Sequence, residues 1–361
     1  MGLARLELPE DVERALEQTF AGREAELAEA VLRLSDAYVD GAPRERLSET
    51  ERRAYAAYYG PIGALKVAAV LDELRARGWQ APEPTLRLAD LGAGPGSATL
   101  GVALAAGAST IDATLIDRDR AWDALPLLGT HVDRGVLRVA RSGTDPFAIE
   151  GLFDVIVAAH LLVELDRTIE DLATRLQDQV ESVLAPDGVW IAIEPATKRA
   201  SRRLHQLHDV LVERGLAVLA PCVHQRRCPM LARDGDWCHE ARAWRQPAYH
   251  AKLDRRTGLD KHVLSFAFLA FAKRPLAAVE RGAARIVSAL LREKGRSRFR
   301  TCDAGGLLRE WDLLRRTRGP IAERVDALER GELVVVPRED GGRLAEGDGI
   351  PELSFPRVPE S

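Results

Sequence analysis

Cysteine is scarce in this chain, with four among 361 residues, and three of the four fall in one polar, turn-rich stretch, "CVHQRRCPMLARDGDWCH" at 222–239. Scarcity argues against a disulfide framework. Clustering in a reducing compartment points instead to metal ligation or redox chemistry. Long apolar runs are also missing: the most apolar stretch, "HVLSFAFLAFA" from His262, is too short to cross a bilayer and alternates as a strand does. The first residues carry acids from Glu7 onward and show no apolar run ahead of a small-residue cleavage site, so the sequence predicts no secretory leader, no membrane contact and a cytoplasmic location. There is no internal repeat or low-complexity tract. A strong net charge is lacking too, since 51 Lys and Arg face 55 Asp and Glu, for −4 overall. The balance is uneven along the chain: residues 191–330 sum to about +13 and the remainder to about −17.

What is present reads as a helical start followed by strand–helix alternation. Val12, Leu16, Phe20, Leu27, Val31 and Leu34 recur at helical spacing, which predicts one amphipathic helix from Asp11 to Asp36. A second helix is expected from Ser48, an N-cap with Glu51 three residues on, broken at Gly60–Pro61 and resumed to Gly78. Residues 1–80 are thus expected as a helical cap, and "QAPEPT" as a linker. Strands are predicted at 86–92, 112–119, 136–142, 153–162 and 188–195, with helices between most of them, the rhythm of a doubly wound parallel α/β sheet. A further helix and two strands, "LAVLAP" and "LSFAFLAFAKR", bracket the cysteines and predict an antiparallel sheet edge. This places the sheet domain at 81–275, a small basic region at 276–340 and a loose tail at 341–361.

The turn "LADLGAGPGSATL" is the next concentration of unusual residues. Gly92, Gly94 and Gly96 permit positive φ and close ligand approach, and the helix that follows offers free N–H groups. Asp90 precedes the glycines. Asp117, at the end of the next strand, is placed to accept hydrogen bonds from both hydroxyls of a ribose, with Asp119 as the fallback. The spacing is G-x-G-x-G, not the dinucleotide G-x-G-x-x-G, and Pro95 removes one N–H. A bare strand-to-helix turn and a nicotinamide site remain as alternatives. His160 and Glu164, after the fourth strand, are candidate bases, with a packing role as the alternative for His160.

Cys222, Cys228 and Cys238 are separated by five and nine residues, and Cys302 follows after sixty-three more. These gaps do not match the paired spacing of zinc ribbons. Thiols of this kind suit a soft metal, zinc or iron–sulfur, with His224 and His239 as spare ligands, and four unrelated thiols are the alternative. "REKGRSRFR", Arg292 to Arg300, with Arg315, Arg316 and Arg318, is a candidate grip on phosphates, against the alternative of a solvated basic face.

The turn "LGAGPG" with its acidic partner resembles the class I S-adenosylmethionine (SAM)-dependent methyltransferases. That likeness implies a Rossmann-like sheet, with Asp90, Gly92, Gly94 and Gly96 at the methionine part of the cofactor, Asp117 at its ribose, and "SGTD" (142–145) near the adenine. The Asn/Asp-Pro-Pro-aromatic box of amino-methylating members is missing. Together with "EPA" after the fifth strand, "APC-x-H", "DWCH" and a later "C-(T/D)-x-x-G", the chain resembles, over about 50–310, the Rsm-twenty-two family of mitochondrial small-ribosomal-subunit assembly factors and their bacterial relatives. Val223, Ala196 and Glu240 depart from its pattern without removing a cysteine. The resemblance implies a [4Fe–4S] cluster on Cys222, Cys228, Cys238 and Cys302, which would staple the C-terminal extension to the sheet, and association with small-subunit ribosomal RNA. The expected function is a SAM-binding, iron–sulfur methyltransferase-like protein acting on that RNA. A non-catalytic assembly factor and a zinc-stapled small-molecule methyltransferase are the other readings.

Overall fold

The computed structural model describes residues 5–40, 47–107, 110–124, 137–141 and 145–353. "SGTD" falls almost wholly outside them. The predicted stripe of six apolar residues is buried, but it lies on two helices, α1 (Glu10–Phe20) and α2 (Glu24–Asp40). Gly22, at φ +79°, turns the chain between them. Helix α3 (Glu49–Ala76) starts at the Ser48 capping box and runs unbroken through Pro61. Nearly every side chain from Ala54 to Leu74 is buried, so packing on all sides outweighs the local cost of the proline.

The first sheet contains β1 (Thr85–Leu91), β2 (Thr110–Ile116), β3 (Leu137–Arg141), β4 (Phe153–Ala159), β5 (Leu184–Pro195), β6 (Ala217–Ala220), β7 (Glu240–Ala243) and β8 (Val263–Ala272). Its order is β3-β2-β1-β4-β5-β8-β6, with β7 also on β8. Strands β1 to β5 pair in parallel and β8 runs against β5. Strands β6 and β7 lie end to end along the outer edge of β8, the former opposite residues 270–272 and the latter opposite 263–266. The cysteine segment is therefore an excursion from one interrupted edge strand. Helices α1 to α3, α4 (Ser97–Ala105) and α7 (Ala248–Thr257) contribute to the core on one face. Helices α5 (Ile169–Ser182) and α6 (Lys198–Glu213) contribute to the core on the other. Burial on both faces explains the near-continuous apolar runs of the central strands. The strand order reverses between β1 and β4, and the crevice outside their carboxyl ends is where ligands bind in such sheets.

A second sheet follows: β9 (Ala283–Ile286), β10 (Leu291–Glu293), β11 (Arg296–Asp303), β12 (Leu308–Leu314), helix α8 (Pro320–Asp326), β13 (Leu333–Val335) and β14 (Gly342–Leu344). The stretch from 341, expected as loose coil, supplies β14 and buries Leu344, Ile350 and Leu353. Leu344 and Ile350 join the second core beside Trp311 and Phe299. Among the described residues no helix is long and apolar enough to cross a membrane.

Candidate functional site

The glycine turn leaves β1 at the reversal point. Gly92, Gly94 and Gly96 all have positive φ, at +68°, +51° and +83°. The main chain of the turn is tied to β2, since the Gly92 and Ala93 N–H groups donate to the Ile116 carbonyl at 2.8 and 3.1 Å. Asp117 Oδ2 accepts from the Gly94 N–H at 2.7 Å, and its Oδ1 accepts from the Asp119 N–H at 2.8 Å. Asp90, 1% exposed, accepts from Thr99 N (3.0 Å) and Thr99 Oγ1 (2.7 Å). Gly96 has no side chain with which to cap α4, and the Asp90 carboxylate does this from the strand instead. Asp90 thus positions the turn, while Asp117 lies across it. A Cβ on Gly94 would meet nothing closer than Trp122, at 3.9 Å. Trp122 packs edge-on against Tyr55 of α3, their rings 5.6 Å apart; these aromatic walls escaped the sequence reading.

Opposite the turn, the loop after β4 holds His160 at φ +62°, with its N–H donating to the Ile193 carbonyl at 2.7 Å. A non-glycine residue in the left-handed region is strained, and such strain concentrates at functional sites. Burial, then the charge of Lys66, holds the imidazole well below its ordinary pKa. Burial also raises the Glu164 carboxyl, although Arg118, 3.9 Å away, opposes it.

Two further groups complete this edge. Glu194, at the end of β5 and 1% exposed, accepts from the Val163 N–H through Oε1 at 3.2 Å. Its Oε2 is buried with no hydrogen-bond partner. Burial pushes its pKa up to about 8, against the hydrogen bonds from Val163 and Leu162. Lys66 of α3 is 8% exposed. Burial, then Lys261, brings its pKa down to about 7, while Glu194 opposes the shift. Sequence reading missed Lys66; its one signal is a lysine inside the apolar run "IGALKVAAVL". Buried Lys66 thus stands within electrostatic reach of both buried Glu194 and half-buried His160 at the crevice, an arrangement typical of sites that move protons.

The four cysteines line one cavity, Cys222, Cys228 and Cys238 from the excursion and Cys302 from β11. Cys302 Sγ lies 3.4 Å from His224 Nε2, whereas His239 stacks on Trp237. Burial raises the Cys228 and Cys302 thiols above their usual range and Cys238 to about 12, and the neighbouring thiols add to this. Burial opposes ionisation of Cys222 as well, but His208, Arg285 and Arg77 outweigh it and lower that thiol. Among the described residues no three or more His, Cys, Asp or Glu side chains are gathered in a group able to hold a metal ion. The predicted ligands therefore share a cavity without forming a coordination set.

The excursion is held by arginines. Arg77 donates to the carbonyls of Leu219, Pro221 and Cys222, and Arg285 Nε donates to that of Pro221 at 2.7 Å. Arg202 of α6 reaches the carbonyls of Met230, Arg233 and Asp236 at 3.1, 2.8 and 3.0 Å. Its neighbour Arg203 donates to Leu165 and Arg167 in the loop beyond His160. Arg285 of β9 also pairs with Glu73 of α3 and, at 2.9 Å, with Glu240 of β7. All three side chains are at most 7% exposed. This buried ion-pair network is the observed fastening of the second sheet onto the first.

The arginine strip also departs from expectation. Arg296 pairs with Glu293 (2.7 Å) and Asp312 (3.4 Å), and Arg298 with Asp312 and Glu310 (both 3.2 Å). Arg300 pairs with Asp236 (3.2 Å) and Glu310 (3.7 Å), and Arg292 with Asp326. The strip's positive charge is compensated within the chain.

A family model described as "Mitochondrial small ribosomal subunit Rsm22" matches residues 49–332. Among solved structures, the chain is similar to a methyltransferase from Pyrococcus furiosus, at 13% identity over 57% of this chain and 82% of that one, with a TM-score of 0.34. It is also similar to magnesium protoporphyrin IX methyltransferase from Synechocystis PCC 6803 with bound SAH (12% identity, 73% and 100% covered, TM-score 0.37). A SAM-dependent methyltransferase from Aquifex aeolicus is a third (14% identity, 48% and 92% covered, TM-score 0.36). No curated protein matches the chain in sequence.

Proposed function

The chain belongs to the Rsm22 family, and from that premise we propose that it binds SAM at the glycine turn and acts on the small ribosomal subunit by methylating its RNA. The observation that carries this reading is the facing pair at the strand reversal: the positive-φ glycine turn with Asp117 laid across it, and half-buried His160 with buried Lys66 and Glu194 opposite. The residues fit the cofactor. A side chain at Gly94 would take up space beside the turn, and the Asp117 carboxylate, held across the turn by the Gly94 and Asp119 N–H groups, is the kind of acceptor a ribose hydroxyl needs. The unpartnered Glu194 Oε2, protonated below about pH 8, is a donor in need of an acceptor.

When bound, SAM supplies an electrophilic methyl group on sulfur. Asp117 orients the ribose, and the glycines let the main chain approach. Lys66 and Glu194, with pKa values near neutrality, can exchange a proton with an acceptor nucleotide. The test is direct titration of the purified chain with SAM, followed by crosslinking in cells and sequencing of bound RNA with and without methyl-donor depletion. No SAM binding, or no enrichment of small-subunit RNA, ends the proposal.

A second part of the proposal is a [4Fe–4S] cluster held by Cys222, Cys228, Cys238 and Cys302, with zinc as the alternative; what supports it is the one cavity that all four line, and binding would require the thiols to draw closer than they now stand. Thiol donors suit either, and a cation among them would offset the burial that now raises Cys228, Cys238 and Cys302. Iron and sulfide should accompany the anaerobically purified protein; stoichiometric zinc without iron would leave the alternative standing. A non-catalytic assembly factor is favoured by one observation, the lack of an Asn/Asp-Pro-Pro-aromatic box at 160–163.

A further inference from the structure

The second sheet has a specific connectivity. Strands β9, β11 and β12 form an antiparallel meander, β13 returns antiparallel to β9 after α8, and β14 pairs in parallel with β12. The chain then comes back to β13, with Val335 N donating to Pro351 O and Leu353 N to Leu333 O, both at 2.9 Å. The ring closes in the order first, second, third, fifth, fourth strand, with a helix between the third and fourth. That is the plan of the five-stranded OB barrel, whose second and third strands and adjoining loops commonly bind oligonucleotides.

Here that face is already engaged. Arg296, Arg298 and Arg300 are matched by Glu293, Glu310, Asp312 and Asp236. Its far end, Cys302 and Leu308, packs with Met230 of the cysteine excursion. Phe299 and Trp311 alternate inward to the core, so neither offers a base a ring to stack on. The rim differs. The Arg315 N–H donates to Gly295 O at 3.0 Å and joins the β10–β11 turn to the β12–α8 loop. This brings Lys294 beside Arg315, Arg316 and Arg318, all exposed. Arg318 is braced on the carbonyls of Arg315 and Thr317. Among the described residues none of these four cations has a carboxylate partner.

We propose that this rim, Lys294 with Arg315, Arg316 and Arg318, is a docking surface for the phosphate backbone of single-stranded RNA, read without regard to sequence. The proposal rests on the RNA-associated reading above and locates its contact. Unpaired cations release counterions when they meet phosphates, whereas cations already matched by carboxylates release few. Among the described residues no aromatic side chain is exposed to form a stacking platform, which removes the usual source of base preference there.

Fluorescence anisotropy of the full chain with a 20-nucleotide mixed-sequence RNA, between about 50 and 250 mM KCl, separates the two surfaces. Replacing Lys294, Arg315, Arg316 and Arg318 together by Gln should lower the slope of log K against log salt by roughly 3, at ~0.7 per lost single-strand contact. The Arg296→Gln, Arg298→Gln pair should lower it by less than about 1. Unchanged SAM affinity and melting temperature establish that the rim variant is folded. A rim variant that keeps the wild-type slope, or a strip variant that loses as much, overturns the assignment and leaves the parent reading intact. A wild-type chain that binds no RNA ends both. Binding of the wild type, but not the rim variant, to phosphatidylserine vesicles with no effect of the same variant on RNA would make the rim a lipid surface instead.

Discussion

The glycine turn and the thiol cavity both begin where a strand of the first sheet ends, but they are held by opposite means. At the turn the conformation is set by the main chain: positive φ at three glycines, two N–H groups on Ile116 O, and an aspartate capping a helix from its own strand. At the cavity, side-chain charge from distant elements does the holding, through Arg77 at the C-terminus of α3, Arg202 of α6 and Arg285 of β9. A main-chain site tolerates change in its neighbours; a site hung on buried charge does not. Arg285→Met should therefore produce the largest effect, because it leaves Glu73 and Glu240 buried without their shared cation. Breaking a buried pair from one side costs about 3–5 kcal/mol. Urea unfolding measures it, and the triple change Arg285→Met, Glu73→Gln, Glu240→Gln should recover part of the loss; no recovery would mean that packing, not charge, fastens the second sheet.

Glu194→Gln sharpens the contrast from the crevice side. The folded protein holds the Glu194 proton up to about pH 8, whereas the unfolded chain gives it up near 4.5. Stability from this group is complete below the lower value and is lost as pH rises through the upper one, by at most about 1.4 kcal/mol per pH unit. Lys66 has the opposite sign: its lowered pKa of about 7 makes the folded state gain as pH rises from 7 towards 10.5. Between pH 5 and 7, then, only Glu194 of this pair is at work. The stability difference between the Gln variant and the wild type should grow in the variant's favour across that window, as read from urea midpoints at each pH. A difference independent of pH would mean that Glu194 is ionised in the fold.

Asp117→Ala tests the turn itself. It should weaken SAM binding by about tenfold or more, or ~1.4 kcal/mol, because it removes both the proposed ribose acceptor and the bond to the Gly94 N–H. Asp90→Asn should cost folding stability through the α4 cap, on the order of 1 kcal/mol, with a smaller effect on affinity. Calorimetry that ranks the two the other way would exchange their roles.

How much of this was legible beforehand follows from the same contrast. The turn, Asp90 and Asp117 span fewer than about thirty residues and obey local rules of strand, glycine and cap, so the sequence exposes them. The cavity was legible only as a cluster of cysteines. Nothing local says that Arg77 and Arg285, more than 200 positions apart, meet at the Pro221 carbonyl. Lys66 was hidden for a related reason: α3 is buried all round, so its periodicity marks no special face, and Glu194 lies in another layer of the fold. The tail from 341 was misjudged because three-residue strands such as β14 are defined by their partners and not by their own composition.

The strip in β11 is where sequence and structure part over the smallest energies. Alternating arginines looked like an open basic face, but β12 runs antiparallel in a register that sets Arg298 opposite Asp312 and Arg300 opposite Glu310. Cross-strand pairs of opposite charge contribute roughly 0.2–1 kcal/mol each. Arg298→Gln should therefore cost less than about 1 kcal/mol, with a coupling to Asp312→Asn in a double-mutant cycle that shrinks as salt is raised. Zero coupling at low salt would return these arginines to the solvent and make them available again to an anionic partner, removing the distinction between strip and rim. A measurable coupling would show the charge to be spent within the chain, so that four exposed cations beyond the strand ends, and not the more conspicuous arginines along it, are left to meet a polyanion.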